Sequence, residues 1–151
     1  MLSIYGSSGS AMQESTLRKY LDIIVKDQSK MAIKSAAIVY DNGNVAAKTN
    51  KFKINNKDLL GIKRAFHTPG TEKIEYSNVT YCVKSQSSGQ LVAFNGANYV
   101  IISKTDVTYI IVTCCSRQKS SSLAAWINAV ANKLKGKDTP DRDQKNTQKT
   151  N

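Results

Sequence analysis

The chain has little of what most chemical sites are built from: one histidine, three cysteines, two prolines and one tryptophan in 151 residues. The single histidine, His67, stands beside a Pro-Gly turn, and no spacing brings a Ser/His/Asp or Cys/His set to it. Cys82, Cys114 and Cys115 are odd in number and lack CxxC or Cys/His spacing. Neighbouring strand residues also point to opposite faces, so neither a disulfide framework nor a zinc site is expected. Buried cysteines are usually inert, and a reduced, cytoplasmic setting fits this usage. No P-loop or GxGxxG occurs, and Gly89 and Gly96 stand alone in turns. The reading is a protein without cofactor, metal or enzymatic activity. MLSIYGSSGSAM lacks a basic start and a long apolar run, so no signal peptide is expected. Every apolar run falls well short of the ~20 residues that span a bilayer.

Acidic residues are also scarce. Lys and Arg number 22 against 11 Asp and Glu, a formal charge of +11. That balance favours acidic partners: nucleic acid, anionic headgroups or an acidic protein surface. Lys48, Lys51, Lys53, Lys57, Lys63 and Arg64 form the densest basic stretch, opposed only by Asp58. A single-strand binder would interleave aromatics with such charges, and Phe94, Tyr99 and Tyr109 are too sparse to argue for it. No nucleic-acid partner is expected.

What is present is a clear change of period. Residues 1–13 are rich in Ser and Gly and read as a flexible extension. Ser15 can cap a helix running to about Asp27, with Leu17, Tyr20, Leu21 and Ile24 on one face. SAAIVY (35–40) reads as a strand, DNGN as a tight turn and NVAAK as its partner. Asn55 or Asn56 caps a second helix, striped by Leu59, Ile62 and Phe66 and ending near His67-Thr68-Pro69-Gly70. VTYCVK, QLVAF, NYVIIS and VTYIIVTCC then follow as four strands separated by turn residues, which makes antiparallel neighbours. A last helix fits about 120–134, with Leu123, Ile127, Val130 and Leu134 in its stripe, Trp126 beside it and Gly136 as its stop. Residues 137–151 hold no aliphatic or aromatic side chain and read as a disordered tail, leaving one domain over 14–136.

The fold class is therefore α+β. YIIVTCC shows no clean alternation, so it reads as a central strand covered on both faces. The two terminal helices lie on one face and the middle helix on the other.

TLRKYLD, AAIVYDNGNVAAK, VTYCV and above all KTDVTYIIV, in this order, resemble the profilin family of small actin-monomer-binding proteins, in a divergent form like that of Asgard archaea. The resemblance implies an antiparallel sheet flanked by helices and a monomeric, cytoplasmic and cytoskeletal regulator of actin filament assembly. It implies an actin face of Thr80, Cys82, Val83 and Ser85 on one strand and Phe94 on the next. Lys104 and Thr105 in the KTD turn belong to it, as do Arg117, Lys119, Ser121 and Ala124 around the last helix start. The family's groove for proline-rich proteins falls on Leu17, Tyr20 and Lys133, with Trp126 a substitute two turns away. The family's hairpin tryptophan falls on Ala46, so the groove reads as eroded. The Lys48–Arg64 stretch would meet phosphoinositide headgroups, another family habit. A roadblock- or longin-like dimeric scaffold serving small GTPases is the alternative; it implies an obligate dimer and fewer strands after the middle helix.

Overall fold

The computed structural model describes residues 2–26 and 32–135, with side chains from residue 14 onward. Ten elements follow one another: α1 (Leu2–Val25), β1 (Ile33–Tyr40), β2 (Val45–Lys48), α2 (Asn56–Phe66), β3 (Lys73–Tyr76), β4 (Val79–Gln86), β5 (Gln90–Asn95), β6 (Asn98–Lys104), β7 (Thr108–Cys114) and α3 (Arg117–Leu134). The seven strands form one sheet in the order β2-β1-β7-β6-β5-β4-β3, and every pairing is antiparallel. Gly43, at φ +101°, makes the β1–β2 turn. Its N–H and that of Asn44 are held by Tyr40 O and Asn42 Oδ1, both at 2.9 Å.

β7 is covered on both faces, as its unbroken apolar run implies. On one face Ile110, Val112 and Cys114 pack with Leu17, Leu21 and Ile24 of α1 and Leu123, Ile127, Val130 and Leu134 of α3. On the other, Tyr109 and Ile111 pack with Leu59, Ile62 and Ala65 of α2. The terminal helices thus share one face and the middle helix takes the other.

Three features depart from the sequence reading. α1 runs back to Leu2, through the Ser- and Gly-rich stretch expected to be a flexible extension; helix propensity disfavours those residues by less than about 1 kcal/mol each, which does not forbid a helix. α3 starts at Arg117, three residues early, because Ser116 caps it by accepting from Lys119 N at 3.2 Å. KIEY forms a strand that the reading passed over. It hairpins to β4 through Ser77 and Asn78, both at positive φ (+55° and +63°), the conformation of a type I′ turn. Asp27, Gly136 and the tail at 137–151 lie outside the described residues.

α2 starts with a full capping box. Asn55 Oδ1 accepts from Asp58 N at 2.8 Å, and Asp58 Oδ2 accepts from Asn55 N at 3.3 Å. Asp58 is buried, and its other oxygen accepts from Ser77 N at 3.1 Å, tying the helix start to the β3–β4 turn. Asp58→Ala strands two backbone donors and is expected to cost about 2 kcal/mol, read from urea denaturation midpoints.

Candidate functional site: the uncovered strip of the outer strands

A single row of paired residues crosses the sheet: Cys82 on β4, Phe94 on β5, Tyr99 on β6, Cys114 on β7 and Ile33 on β1. Ile33, Cys114 and Tyr99 are buried beneath the terminal helices, Phe94 is half-buried and Cys82 is exposed. The helix layer therefore runs out between β6 and β4, and the row emerges into solvent there. Phe94 and Tyr99 stack with centroids 5.9 Å apart, and Lys84 Nζ lies 5.6 Å from the Tyr99 centroid, a cation–π contact. Asn95 Nδ2 donates to Thr80 O at 3.0 Å and ties the strand ends together. The β4–β5 register shifts between Val83 and Ser85, the sign of a bulge that carries Lys84.

Of the residues that the resemblance assigns to one face, Thr80, Cys82, Ser85 and Phe94 do fall on these adjacent strands. Ser121 is exposed on α3, and Ala124 is tied to the strands by Gln90, whose Nε2 donates to Ala124 O at 2.8 Å and Ser103 Oγ at 2.9 Å. Arg117 and Lys119 are exposed in the first turn of α3. Cations there oppose the helix dipole, a placement that costs a few tenths of a kcal/mol and needs another reason to be there.

Three assigned residues do not join them. Val83 packs against the α2-side core, because alternation sends it to the face opposite Cys82. Thr105 is buried: its Oγ1 pairs with Thr108 Oγ1 and accepts from Thr108 N at 3.0 Å, so the KTD turn is held by a hydroxyl network turned inward. Lys104 pairs with Tyr109 while Tyr99 pairs with Cys114, which places Lys104 five residues, about 17 Å, up β6 from Tyr99. Closeness in sequence suggested that Lys104, Arg117 and Lys119 cluster; a full strand separates them. The addition missed in the sequence is Lys84, whose signal was the alternation that sets it apart from Val83.

The remaining assignments are scattered. Leu17 is fully buried in the core and cannot line a groove, Tyr20 is half-buried against it, and Trp126 (41% exposed) and Lys133 face solvent. The Trp126 ring is thus outside the core in which a residue beside the stripe was expected. The basic stretch divides in two. Lys48, Lys51 and Lys53 line cavities beside β1, whereas Lys57 and Arg64 line a groove on α2 with Lys57 bound to Glu75 at 2.8 Å. Lys63 is half-buried. Tyr99 and Tyr109 are inside, so with Phe94 they form no open stacking platform. His67 is the exposed C-cap of α2, and among the described residues no group of three His, Cys, Asp or Glu could hold a metal. No described helix is long and apolar enough to cross a membrane.

This architecture defines the profilin fold class. LokiProfilin1, solved in complex with rabbit actin, superposes with a TM-score of 0.67 at 15% identity over 80% of this chain and 94% of its own. Profilin IB of Acanthamoeba castellanii gives 0.66 at 20% identity over 80% and 98%, and the profilin of Schizosaccharomyces pombe 0.68 at 18% over 78% and 95%. No curated protein matches in sequence. The sequence model of the family described as Profilin matches residues 15–139, and the chain belongs to that family.

Burial raises the Cys114 thiol above its ordinary range, whereas Cys82 and Cys115 are exposed. A raised value means less thiolate at any given pH, so iodoacetamide at pH 8 is expected to add two groups to the folded chain by mass spectrometry and a third only after denaturation. Thr105→Val is expected to lower stability by about 1–2 kcal/mol in urea denaturation, as loss of a buried hydroxyl network does.

Proposed function

We propose that this protein binds monomeric actin through the uncovered strip of β4 and β5 and the start of α3, and so regulates filament assembly. The observation that carries the reading is the strip itself. Thr80, Cys82 and Ser85 lie uncovered by the helix layer and Phe94 half-buried at its margin, with Lys84 on β4 and Arg117, Lys119 and Ser121 at the start of α3. Family membership supports it, as do the matches to LokiProfilin1 and LokiProfilin2, each solved with rabbit actin. Actin is acidic, so the three cations would steer the encounter and fix orientation, while the apolar ring of Phe94 and the bulged strand supply the fit. This gives the cations of the first α3 turn their reason. The mechanism is occlusion: a bound monomer is blocked at one end and free to add to a filament at the other. We place the protein in the cytoplasm as a monomer, without enzymatic activity. Five strands follow α2, more than the roadblock- or longin-like alternative implies.

Proline-rich ligands and phosphoinositides are not needed by this proposal. With Leu17 sealed in the core, the terminal helices offer Trp126 as the one well-exposed aromatic among the residues whose side chains are described, and the stretch read as a single headgroup site divides in two.

Titration with monomeric actin should show saturable binding, and Lys84→Glu should weaken it at least ~10-fold by reversing a charge at the interface. Lys104→Glu, at the far end of β6, should weaken it less than Lys84→Glu. Absence of binding at tens of micromolar actin, or equal losses in the two variants, would sink the reading.

A further inference from the structure

Leu60 is the most exposed large apolar side chain among the described residues, at 59%. It lies outside the stripe of Leu59, Ile62 and Ala65 that packs α2 on the sheet, so the core does not account for it. Leu60 lines a groove of about 650 Å³ between α2 and β3, together with Ala65 and Ile74, and this volume is that of an ordinary ligand site. The walls are fixed in place. Gln86 Nε2 donates to Ala65 O at 2.6 Å and to Thr68 O at 3.1 Å, while Gln86 Oε1 accepts from Thr71 N at 3.1 Å. Thr71 Oγ1 donates in turn to Thr68 O at 2.6 Å. These bonds tie the C-terminal end of α2 to the end of β4, and a groove held in this way needs little ordering when it is filled.

The strand edge and the charges set the chemistry of an occupant. β3 is the last strand of the sheet. Tyr76 pairs with Val79 at the two-residue turn, and Val83 N donates to Glu72 O at 2.8 Å. Lys73 and Glu75 fall on the alternate positions of this ladder, so their backbone N–H and C=O turn away from β4, where they have no partner among the described residues. A Cβ added to Gly61 would stand 3.8 Å from Glu75 O, so the glycine brings α2 close to this edge, and helix and edge share one groove. Lys57 is bound to Glu75, the one carboxylate lining it, at 2.8 Å, which leaves Arg64 and Lys73 without a carboxylate partner among the described residues. The helix dipole accounts for a cation at Arg64, in the last turn of α2, but for neither Lys73 nor Leu60. A second copy of the chain would bring the same cations to the same place. Residues 137–151 hold no aliphatic or aromatic side chain to set on Leu60. A lipid headgroup would leave Leu60 and the strand edge unused.

We propose that the groove between α2 and β3 binds a short acidic segment of a partner protein in extended conformation. Its backbone meets the β3 edge at Lys73, an apolar side chain covers Leu60, and its carboxylates reach Arg64 and Lys73. The site is additional to the actin reading. Lys73 pairs with Cys82 and borders the strip, but Leu60 and Arg64 stand on α2, which packs on the other face of the sheet.

The probe is an acetylated, amidated octapeptide of alternating Glu and Val, titrated calorimetrically into the full chain at ~0.15 M salt, where long-range surface attraction is largely screened. One saturable site is expected, with amide shift changes in NMR spectra centred on Leu60, Gly61, Arg64 and Lys73. Serine in place of each peptide valine should weaken binding at least ~5-fold through the lost apolar contact. Leu60→Asp and Arg64→Glu should each weaken it at least ~10-fold. Lys133→Glu, the same charge change at the end of α3, should alter it less than ~2-fold by screening. Leu60 and Arg64 are both exposed, and thermal midpoints verify that each variant folds. Absence of saturable binding at about 1 mM peptide, equal affinity for the serine peptide, or an equal loss in Lys133→Glu would overturn the proposal. Three other results would give the groove a different occupant and overturn it as well. They are a dimer in light scattering that Leu60→Asp abolishes, sedimentation with phosphatidylinositol bisphosphate vesicles lost in Leu60→Asp while peptide binding is kept, and a loss of actin affinity in Leu60→Asp as large as that in Lys84→Glu.

Discussion

The rest of this structure depends on β7 being covered on both faces. Ile110 and Val112 point to one side and Tyr109 and Ile111 to the other, all of them almost fully buried. A strand of that kind cannot sit at an edge or face water. It takes an interior place in the order, between β1 and β6, and demands a helical layer on each side. α1 and α3 answer on one face and α2 on the other. Three helices cannot roof seven strands, however, and α1 and α3 spend their cover on β2, β1, β7 and β6. What is left bare on the terminal-helix side, β3, β4 and part of β5, is thus a consequence of where the core had to be. The candidate partner surface is the remainder of a packing problem solved elsewhere.

That constraint was legible in the chain because a run such as YIIVTCC, with no polar alternation, has one reading in an antiparallel sheet. The α2 start was legible for a local reason: Asn55 and Asp58 at the right spacing satisfy each other's backbone donors. KIEY was not. Two of its four residues are charged, and its turn uses Ser77 and Asn78 at positive φ without the glycine that usually announces a type I′ turn. Its role as a strand is fixed by β4 alongside it, which is tertiary information.

The site was legible only strand by strand. Alternation along β4 is enough to separate Thr80 and Cys82 from Val83 once the buried face is known, and which face that is depends on the helices. Lys104 and Arg117 illustrate the opposite failure. They flank one strand in the sequence, and a strand is a rod, so flanking it means standing at its two ends. Thr105 failed for another reason: a polar residue in a turn is ordinarily solvated, and here it is turned inward to satisfy Thr108. The cysteine pair that ends β7 is likewise structural, with Cys114 in the core and Cys115 at the surface beside Ala32 O.

The bare strip has a rigid floor, and Tyr99 is the centre of it. Its ring stacks against Phe94 and carries Lys84 on the strip side, and the same residue lines the cavity at the start of β1. Tyr99 is itself 3% exposed and pinned between β5 and β7, so it transmits little by moving. The strip therefore keeps the shape that the core beneath it sets, and a partner meets a surface already formed rather than one that must be ordered on contact.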